Sequence, residues 1–409
     1  MPYRALYTRA VSAGNRCRDR GQESSDGYDS AVNILVVGAG IIGASIAEAL
    51  ARRGADVTVL DMRAYGRGAS WASAGLLAPY TEAHGETPLL RMGVRSLEMY
   101  DDWIRGVGER SGRAVEIEYA RTGTLEVALD DGDVTRLGAV KSWLDAARVH
   151  GEWMDGTAAR AFEPALAPAA IGGLFISVHG FVGVGSLVTA LVNSARFSGV
   201  VFESAVEAID ITSSKTGVVV RAGERKYAAD RAVVAAGSWS KRVRVANVAA
   251  LPVRPVRGQL LHLGWQKGAR PLRPVWGSAC YTVPWSNGTL LVGATVEEVG
   301  FDESTTAGGV ASLLSAVTSM LPAASGATLL EARAGLRPAT ADGLPFIGTL
   351  EAAPNVFVAT GHYRNGILLA PLTAALAEAA LLGGRGEVDT DNEMLAMTSP
   401  DRILVGGGR

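Results

Sequence analysis

Asn33-Ile-Leu-Val-Val-Gly38-Ala-Gly40-Ile-Ile-Gly43, continued by a helical segment and by Asp56-Val-Thr-Val-Leu-Asp61, is the stretch on which the reading of this chain turns. The apolar run Ile34–Val37 reads as a buried parallel strand. Gly38, Gly40 and Gly43 follow at the G-x-G-x-x-G spacing. Ile42, Ile46, Ala47 and Leu50 then share one helical face, and Gly54 suits the helix C-terminus. A second strand, Val57–Leu60, ends in Asp61. Strand, glycine turn, helix and acid in this order make a dinucleotide-binding βαβ unit. Gly38 makes the tight turn, Gly40 admits a pyrophosphate to the backbone, and Gly43 brings helix and strand close. The helix N-terminus offers N–H groups to phosphates. The Asp61 carboxylate suits an adenosine ribose and disfavours a 2′-phosphate. Alone, the stretch does not separate NAD from FAD.

Outward from this unit, the composition narrows the classes. The chain has 409 residues, 48% of them hydrophobic and 20% charged, as expected for a globular α/β protein. Its 39 basic and 41 acidic residues leave a formal charge of −2, which gives no reason to expect nucleic acid or an anionic membrane as partner. No apolar run reaches the roughly 18–20 residues of a membrane span. Cys17 and Cys280 have neither metal-ligand nor disulfide spacing, and the five histidines are scattered, so no metal is expected and a reducing, cytoplasmic setting is. Residues 1–30 read as a disordered tail or as a start placed too early.

The small-residue loop Gly66–Pro79 follows Asp61 directly. It leaves room for a flat ligand, and Ser70 and Ser73 supply hydroxyls. The periodicity predicts helices over Pro88–Gly108, Ser142–His150, Gly185–Phe197, Gly309–Leu321 and Ile367–Leu382. Predicted strands include Glu116–Glu118, Gly123–Ala128, Gly172–Ser177, Val200–Phe202, Arg231–Gly237, Val256–Leu263, Cys280–Val283, Thr289–Val296, Leu329–Ala334 and Asn355–Ala359, with a hairpin over Ala205–Arg221. The expected architecture is a Rossmann-type domain over 31–112, 178–250 and 335–390. A mostly antiparallel β domain takes 113–177 and 251–334. A C-terminal tail runs from 391 to 409, unstructured after Ser399.

Three late segments carry polar groups in apolar surroundings: Tyr281, Arg337 and the loop Gly361-His-Tyr-Arg364-Asn-Gly366. An arginine at a cleft can bind a carboxylate bidentately, although either arginine could equally form an ordinary ion pair. Tyr281 could also be a core residue with a capped hydroxyl. His362 invites a general-base reading, against that of a structural loop histidine.

These segments carry a resemblance. Val36-Val-Gly-Ala-Gly-Ile-Ile-Gly43, Gly68-Ala-Ser-Trp-Ala-Ser-Ala-Gly-Leu-Leu-Ala-Pro79 and Gly335-Leu-Arg-Pro-Ala-Thr-Ala-Asp-Gly-Leu-Pro-Phe-Ile-Gly348 resemble the D-amino-acid-oxidase-type FAD-dependent oxidoreductases. Thr360-Gly-His-Tyr-Arg-Asn-Gly-Ile-Leu-Leu-Ala-Pro371, Tyr281-Thr-Val-Pro284 and Leu291-Val-Gly-Ala-Thr-Val-Glu-Glu-Val-Gly-Phe-Asp302 are similar, more narrowly, to the glycine oxidases of thiamine biosynthesis. The resemblance spans residues 32 to 385. It implies a non-covalent FAD with Ile41 and Ile42 at the pyrophosphate and Asp61 and Met62 at the ribose. It places Ala69, Ser70, Ala74, Gly75 and Leu76 along the cofactor, and Val206 at the adenine. His362, Tyr363, Arg364, Asn365, Gly366, Ile367 and Leu368 would pass the flavin ring. Arg337 would hold a substrate carboxylate, with Tyr281 and Arg364 lining the pocket.

The implied reaction is oxidation of glycine and of small amines or D-amino acids by hydride transfer to flavin, reoxidised by dioxygen. Its products are glyoxylate or imine, ammonia and peroxide. A homotetramer is implied by the resemblance only. Ala279, where some relatives carry a larger polar group, bears on pocket size. The competing reading is a D-amino-acid dehydrogenase that passes electrons to a quinone.

Overall fold

The computed structural model describes residues 31–81, 85–112, 115–207, 209–266, 268–383 and 388–404. The expected tail over 1–30 lies outside these residues. Asn33–Val37 occupies the interior of a six-stranded sheet ordered Phe346–Leu350, Ala353–Thr360, Arg231–Val234, Asn33–Val37, Asp56–Leu60, Val201–Glu203. Every pairing is parallel except the first, in which Phe346–Leu350 runs antiparallel along the edge.

Side chains alternate across this sheet. Ile34, Val36, Val57 and Val59 face the helices Ile41–Arg52, Pro88–Arg110, Val184–Phe197 and Ala370–Leu382. Leu35, Val37, Leu60 and Val234 face the other way. There they meet not helices but a second sheet formed by Ile209–Ser214, Gly217–Ala222, Arg225–Ala229 and Arg244–Val245. An all-apolar strand is explained by two buried faces, each fully buried Ile, Val or Leu contributing about 1.5–3 kcal/mol. Glu48, buried on the first helix, accepts from Arg110 Nε at 2.7 Å and from Ser194 Oγ at 2.9 Å, so one carboxylate ties three helices together.

An eight-stranded sheet takes strands from 124–176 and from 254–339. It is antiparallel except where Val275–Trp276 runs parallel to Thr124–Ala128. Its edge strand, Thr328–Ala339, is longer than the expected Leu329–Ala334 and includes Arg337 near its end. A three-stranded sheet of Leu76–Leu77, Gly180–Val182 and Tyr119–Ala120 fastens the small-residue loop to the rest.

Several boundaries differ from those the sequence predicts. The helix expected over Ser142–His150 runs over Asp131–Ala146, because the Asp130 side chain caps it by accepting from Asp133 N at 2.8 Å. The strand expected at Glu116–Glu118 lies at Tyr119–Ala120. Ile367–Leu369 are turns, and the last long helix of this layer begins at Ala370 with Pro371 in its first turn, where no N–H is needed. The segment after Ser399 is not unstructured as far as Leu404, and the expected tail from 391 begins inside a helix. Val388–Thr398 is a helix whose Met394 reaches the core, and Asp401–Leu404 forms a further turn. Thr398 Oγ1 donates to Ile347 O at 2.9 Å, and Arg402 pairs with Asp342 at 2.8 Å, which holds this segment on the sheet edge. Among the described residues no helix is long and apolar enough to cross a membrane, and no group of three His, Cys, Asp or Glu could hold a metal.

Candidate active site

The glycine turn is fixed from three sides. Gly38 adopts a φ of +112°, and a Cβ on it would lie 2.3 Å from Ala235 O, just past the end of the neighbouring strand. Gly38 N donates to Leu60 O at 2.8 Å. Gly43 lies under the turn, where a Cβ would fall 1.8 Å from Gly38 O. The helix that starts at Ile41 has Gly40 as its N-cap, with no side-chain cap from that position. Asp61 does more than the sequence predicts. One carboxylate oxygen accepts from Ala39 N at 2.6 Å and the other from Arg63 N at 2.8 Å, so the acid holds the turn in place. Burial pushes its pKa up, against the lowering effect of those N–H groups.

From this turn one cavity of about 420 Å³ reaches the eight-stranded sheet. The small-residue loop forms the link. Ser70 Oγ accepts from Ile41 N at 3.0 Å, while two residues later Ala72 lies so close to Gly335 that a Cβ there would be 2.6 Å from its methyl carbon. Gly335 is on the strand of Arg337. The cavity is lined by Gly38, Gly40, Ile41, Ile42, Asp61, Met62, Ala69, Ser70, Ala74, Gly75, Leu76 and Val206. It is also lined by Tyr281, Arg337 and the whole run His362–Leu368. Gly43 alone of the expected residues is off the lining, consistent with a packing role.

Two elements hold the 362–368 loop. Tyr100 Oη donates to Ile367 O at 2.5 Å, and Ser96 Oγ donates to Leu368 O at 2.6 Å, both from the helix Pro88–Arg110. Tyr363 takes a φ of +49° while its N–H donates to Pro338 O at 2.8 Å. The loop is thereby joined to the residue after Arg337.

Arg337 is half-buried. Its Nη1 donates to Thr295 O at 3.0 Å and to Arg257 O at 3.3 Å. Thr295 is itself bracketed by Gln259, donating N–H to Gln259 O at 3.2 Å and accepting from Gln259 N at 2.8 Å. Beneath lies the buried Arg257, which pairs with half-buried Glu297 at 2.5 Å and with exposed Asp302 at 2.6 Å. Burial raises the Glu297 pKa, but Arg257, Thr295 and Gln259 outweigh it and hold the carboxyl below its usual range. On the same sheet the Tyr281 ring lies 4.8 Å from that of Trp276, and the exposed Arg364 guanidinium is 6.0 Å from the same indole. The wall thus offers cationic groups, a phenol and an indole, a set suited to a small anionic or zwitterionic ligand.

Trp276 has no sequence signal. It is a single aromatic in a two-residue strand, and only pairing with Tyr281 brings it to the wall. Arg63 and Trp239 also line the cavity and escaped sequence reasoning. Arg63 pairs with Glu303 at 2.5 Å and lies 4.4 Å from the Trp239 ring.

His362 is buried, its Nε2 3.1 Å from Thr373 Oγ1, and burial lowers its pKa to about 3. His179 is equally buried and is likewise lowered to about 3, by burial first and then by Arg121. Both imidazoles are neutral in the native state near pH 7, so His362 serves as a fixed wall of the loop. Below pH 6.5 the unfolded chain protonates these histidines and the native chain does not. Stability therefore falls as pH drops from 6.5 toward 3, by about 1.4 kcal/mol per pH unit for each histidine. Denaturant unfolding of wild type and His362→Gln between pH 7 and 4 should give a shallower slope for the variant. Equal slopes would mean that His362 is charged in the folded protein.

Comparisons with known proteins bear on this geometry. Residues 33–380 match the family described as FAD dependent oxidoreductase, abbreviated DAO. Glycine oxidase of Geobacillus kaustophilus is 32% identical over 345 residues, which is 84% of this chain and 91% of that protein. The bifunctional protein ThiO/ThiG of Synechocystis is 33% identical over 380 residues, or 91% of this chain. The match covers 54% of that protein, so the chain spans about half its length. The crystal structure of glycine oxidase from Geobacillus kaustophilus superimposes with a TM-score of 0.82 at 31% identity, covering 87% of this chain and 96% of that one.

Proposed function

The chain belongs to the FAD-dependent oxidoreductases of the DAO family, and from that premise we propose that it oxidises glycine, with other small amines or D-amino acids as further substrates. The likeness to glycine oxidases supports the substrate class, and the ThiO/ThiG likeness supports a place in forming the thiazole of thiamine. The observation that carries the reading is one cavity that touches both the glycine turn and the pair Tyr281 and Arg337.

The residues present fit FAD. Gly40, Ile41 and Ile42 at the helix N-terminus line the cavity, a Cβ at Gly40 would project to within 3.4 Å of Ser70 Oγ on the cavity wall, and the acid expected for an unphosphorylated ribose stands beside the turn. Ile41, Ile42, Asp61, Met62, Ala69, Ser70, Ala74, Gly75, Leu76 and Val206 would hold the dinucleotide, and His362–Leu368 would line the flavin ring. FAD held there would supply the redox chemistry, a two-electron acceptor for the substrate α-hydrogen that dioxygen reoxidises.

The chain's own residues bind and orient. Arg337 holds the carboxylate, with its guanidinium plane set by the carbonyls of Thr295 and Arg257. Tyr281 supplies a phenol beside it, and Arg364 guards the rim. The neutral His362 takes no proton from substrate; a neutral amine needs no base for hydride loss. Glycine, dioxygen and water would give glyoxylate, ammonia and hydrogen peroxide. Under this reading the six-stranded sheet carries the cofactor and the eight-stranded sheet the substrate.

The purified protein should be yellow and release peroxide in air. Turnover should be measured with glycine, sarcosine, D-alanine, D-proline and glycerol 3-phosphate, each with oxygen and with an artificial quinone. Turnover of D-amino acids with quinone and none with oxygen would replace the oxidase reading by the dehydrogenase. Preference for glycerol 3-phosphate would remove the amine substrate altogether.

A further inference from the structure

We propose that Gly258 is a positioning residue for Arg337: its missing side chain leaves the slot across the strand Arg254–Gly264 in which the guanidinium lies. The inference deepens the reading above and rests on Arg337 as the carboxylate site. A Cβ built on Gly258 would stand 2.2 Å from Arg337 Nη2, 2.3 Å from Cζ and 2.3 Å from Nη1. These three nearest atoms all belong to the Arg337 guanidinium.

Register explains the geometry. Arg337 is opposite Val256, and Gly258 lies two residues farther along the same strand, hence on the same face. The side chain crosses diagonally over Gly258 to reach Thr295 O beyond it. Gly258 is in the interior of an eleven-residue strand without a left-handed φ, so the backbone gives no reason for glycine, which weakens a strand. The same face repeats the device. Gly293 is opposite Tyr281, and a Cβ there would be 2.5 Å from the phenol oxygen. Two glycines thus form a floor on which the two polar groups of the pocket lie flat.

The collision is with the end of a flexible side chain, not with backbone. Gly258→Ala therefore moves Arg337 and spares the sheet. The test is a double-variant cycle on FAD-loaded enzyme. Glycolate, which carries glycine's carboxylate without its amine, is titrated and followed through the flavin absorbance. Gly258→Ala should retain flavin and raise the glycolate Kd tenfold or more, as Arg337→Ala does. With Arg337→Ala already in place, adding Gly258→Ala should raise it no further.

Wild-type affinity in Gly258→Ala, or additive losses in the double variant, would overturn the inference while leaving Arg337 as the carboxylate site. Unchanged affinity in Arg337→Ala would remove the carboxylate assignment and this inference with it. If Gly258→Ala fails to fold but the double variant folds, the collision with Arg337 is established. Failure of both to fold overturns the inference.

Discussion

Arg337→Ala is expected to weaken binding of glycine and of glycolate by roughly 30-fold to several-hundred-fold while leaving the flavin bound. Truncating one member of a desolvated charge pair typically costs about 2–5 kcal/mol. Arg337 is half-buried, which puts it in the lower part of that range. Its Nη1 donates to the carbonyls of Thr295 and Arg257, both remote in sequence from the glycine turn, so cofactor retention should not change. Arg337→Lys should recover only part of the loss, because an ammonium lacks the planar fork that meets a carboxylate with two hydrogen bonds. The measurements are KM for glycine, glycolate Kd and flavin content. An unchanged KM would transfer the carboxylate to another group, with Arg364 the next to test.

The second large effect is on the cofactor. Gly43→Ala should yield protein that binds little or no flavin and melts at lower temperature. The new methyl would lie 1.8 Å from Gly38 O and 2.9 Å from Gly38 C, both backbone atoms. Nor can the turn retreat. Gly38 abuts Ala235 O on its other side, and Ala39 N is held by Asp61. Overpacking of a core ordinarily costs about 1–3 kcal/mol, and a backbone collision with both sides blocked should exceed it. Gly108→Ala is the control. It lies in the helix Pro88–Arg110 with no neighbour within 4 Å of its added Cβ, and should be neutral or stabilising by up to about 1 kcal/mol. Normal flavin content in Gly43→Ala would mean that the helix can shift without losing the phosphate site.

The site was legible in the sequence to an uneven degree, and the reason is physical. Apart from Val206, the expected cofactor residues lie in short runs, 38–43, 61–62, 69–76 and 362–368. The glycines and Asp61 are read from spacing and the other runs from the resemblance they carry, and apart from Gly43 the expected residues all border one cavity. Element ends were read less well. Asp130 starts a helix eleven residues before the expected Ser142, because a cap is a local hydrogen bond that outweighs a weak apolar period. The helix Val388–Thr398 was missed because its stability comes from Met394 and Thr398 docking on the core and edge of the six-stranded sheet, which no period of its own sequence announces.

By itself, then, the sequence determined the βαβ unit, since strand, glycine turn, helix and acid lie within some thirty residues and each acts on its near neighbours. It also singled out Arg337, Tyr281 and Arg364 as polar groups in apolar surroundings. Only the tertiary structure decided how they meet. Strand register brings Gly258 under Arg337 and Gly293 under Tyr281, and it carries Trp276 to the cavity wall. Asp61 acquires its second task, clamping Ala39, in the same way. Contacts between residues distant along the chain depend on which strands pair and in what register, and a sliding window over the sequence contains neither.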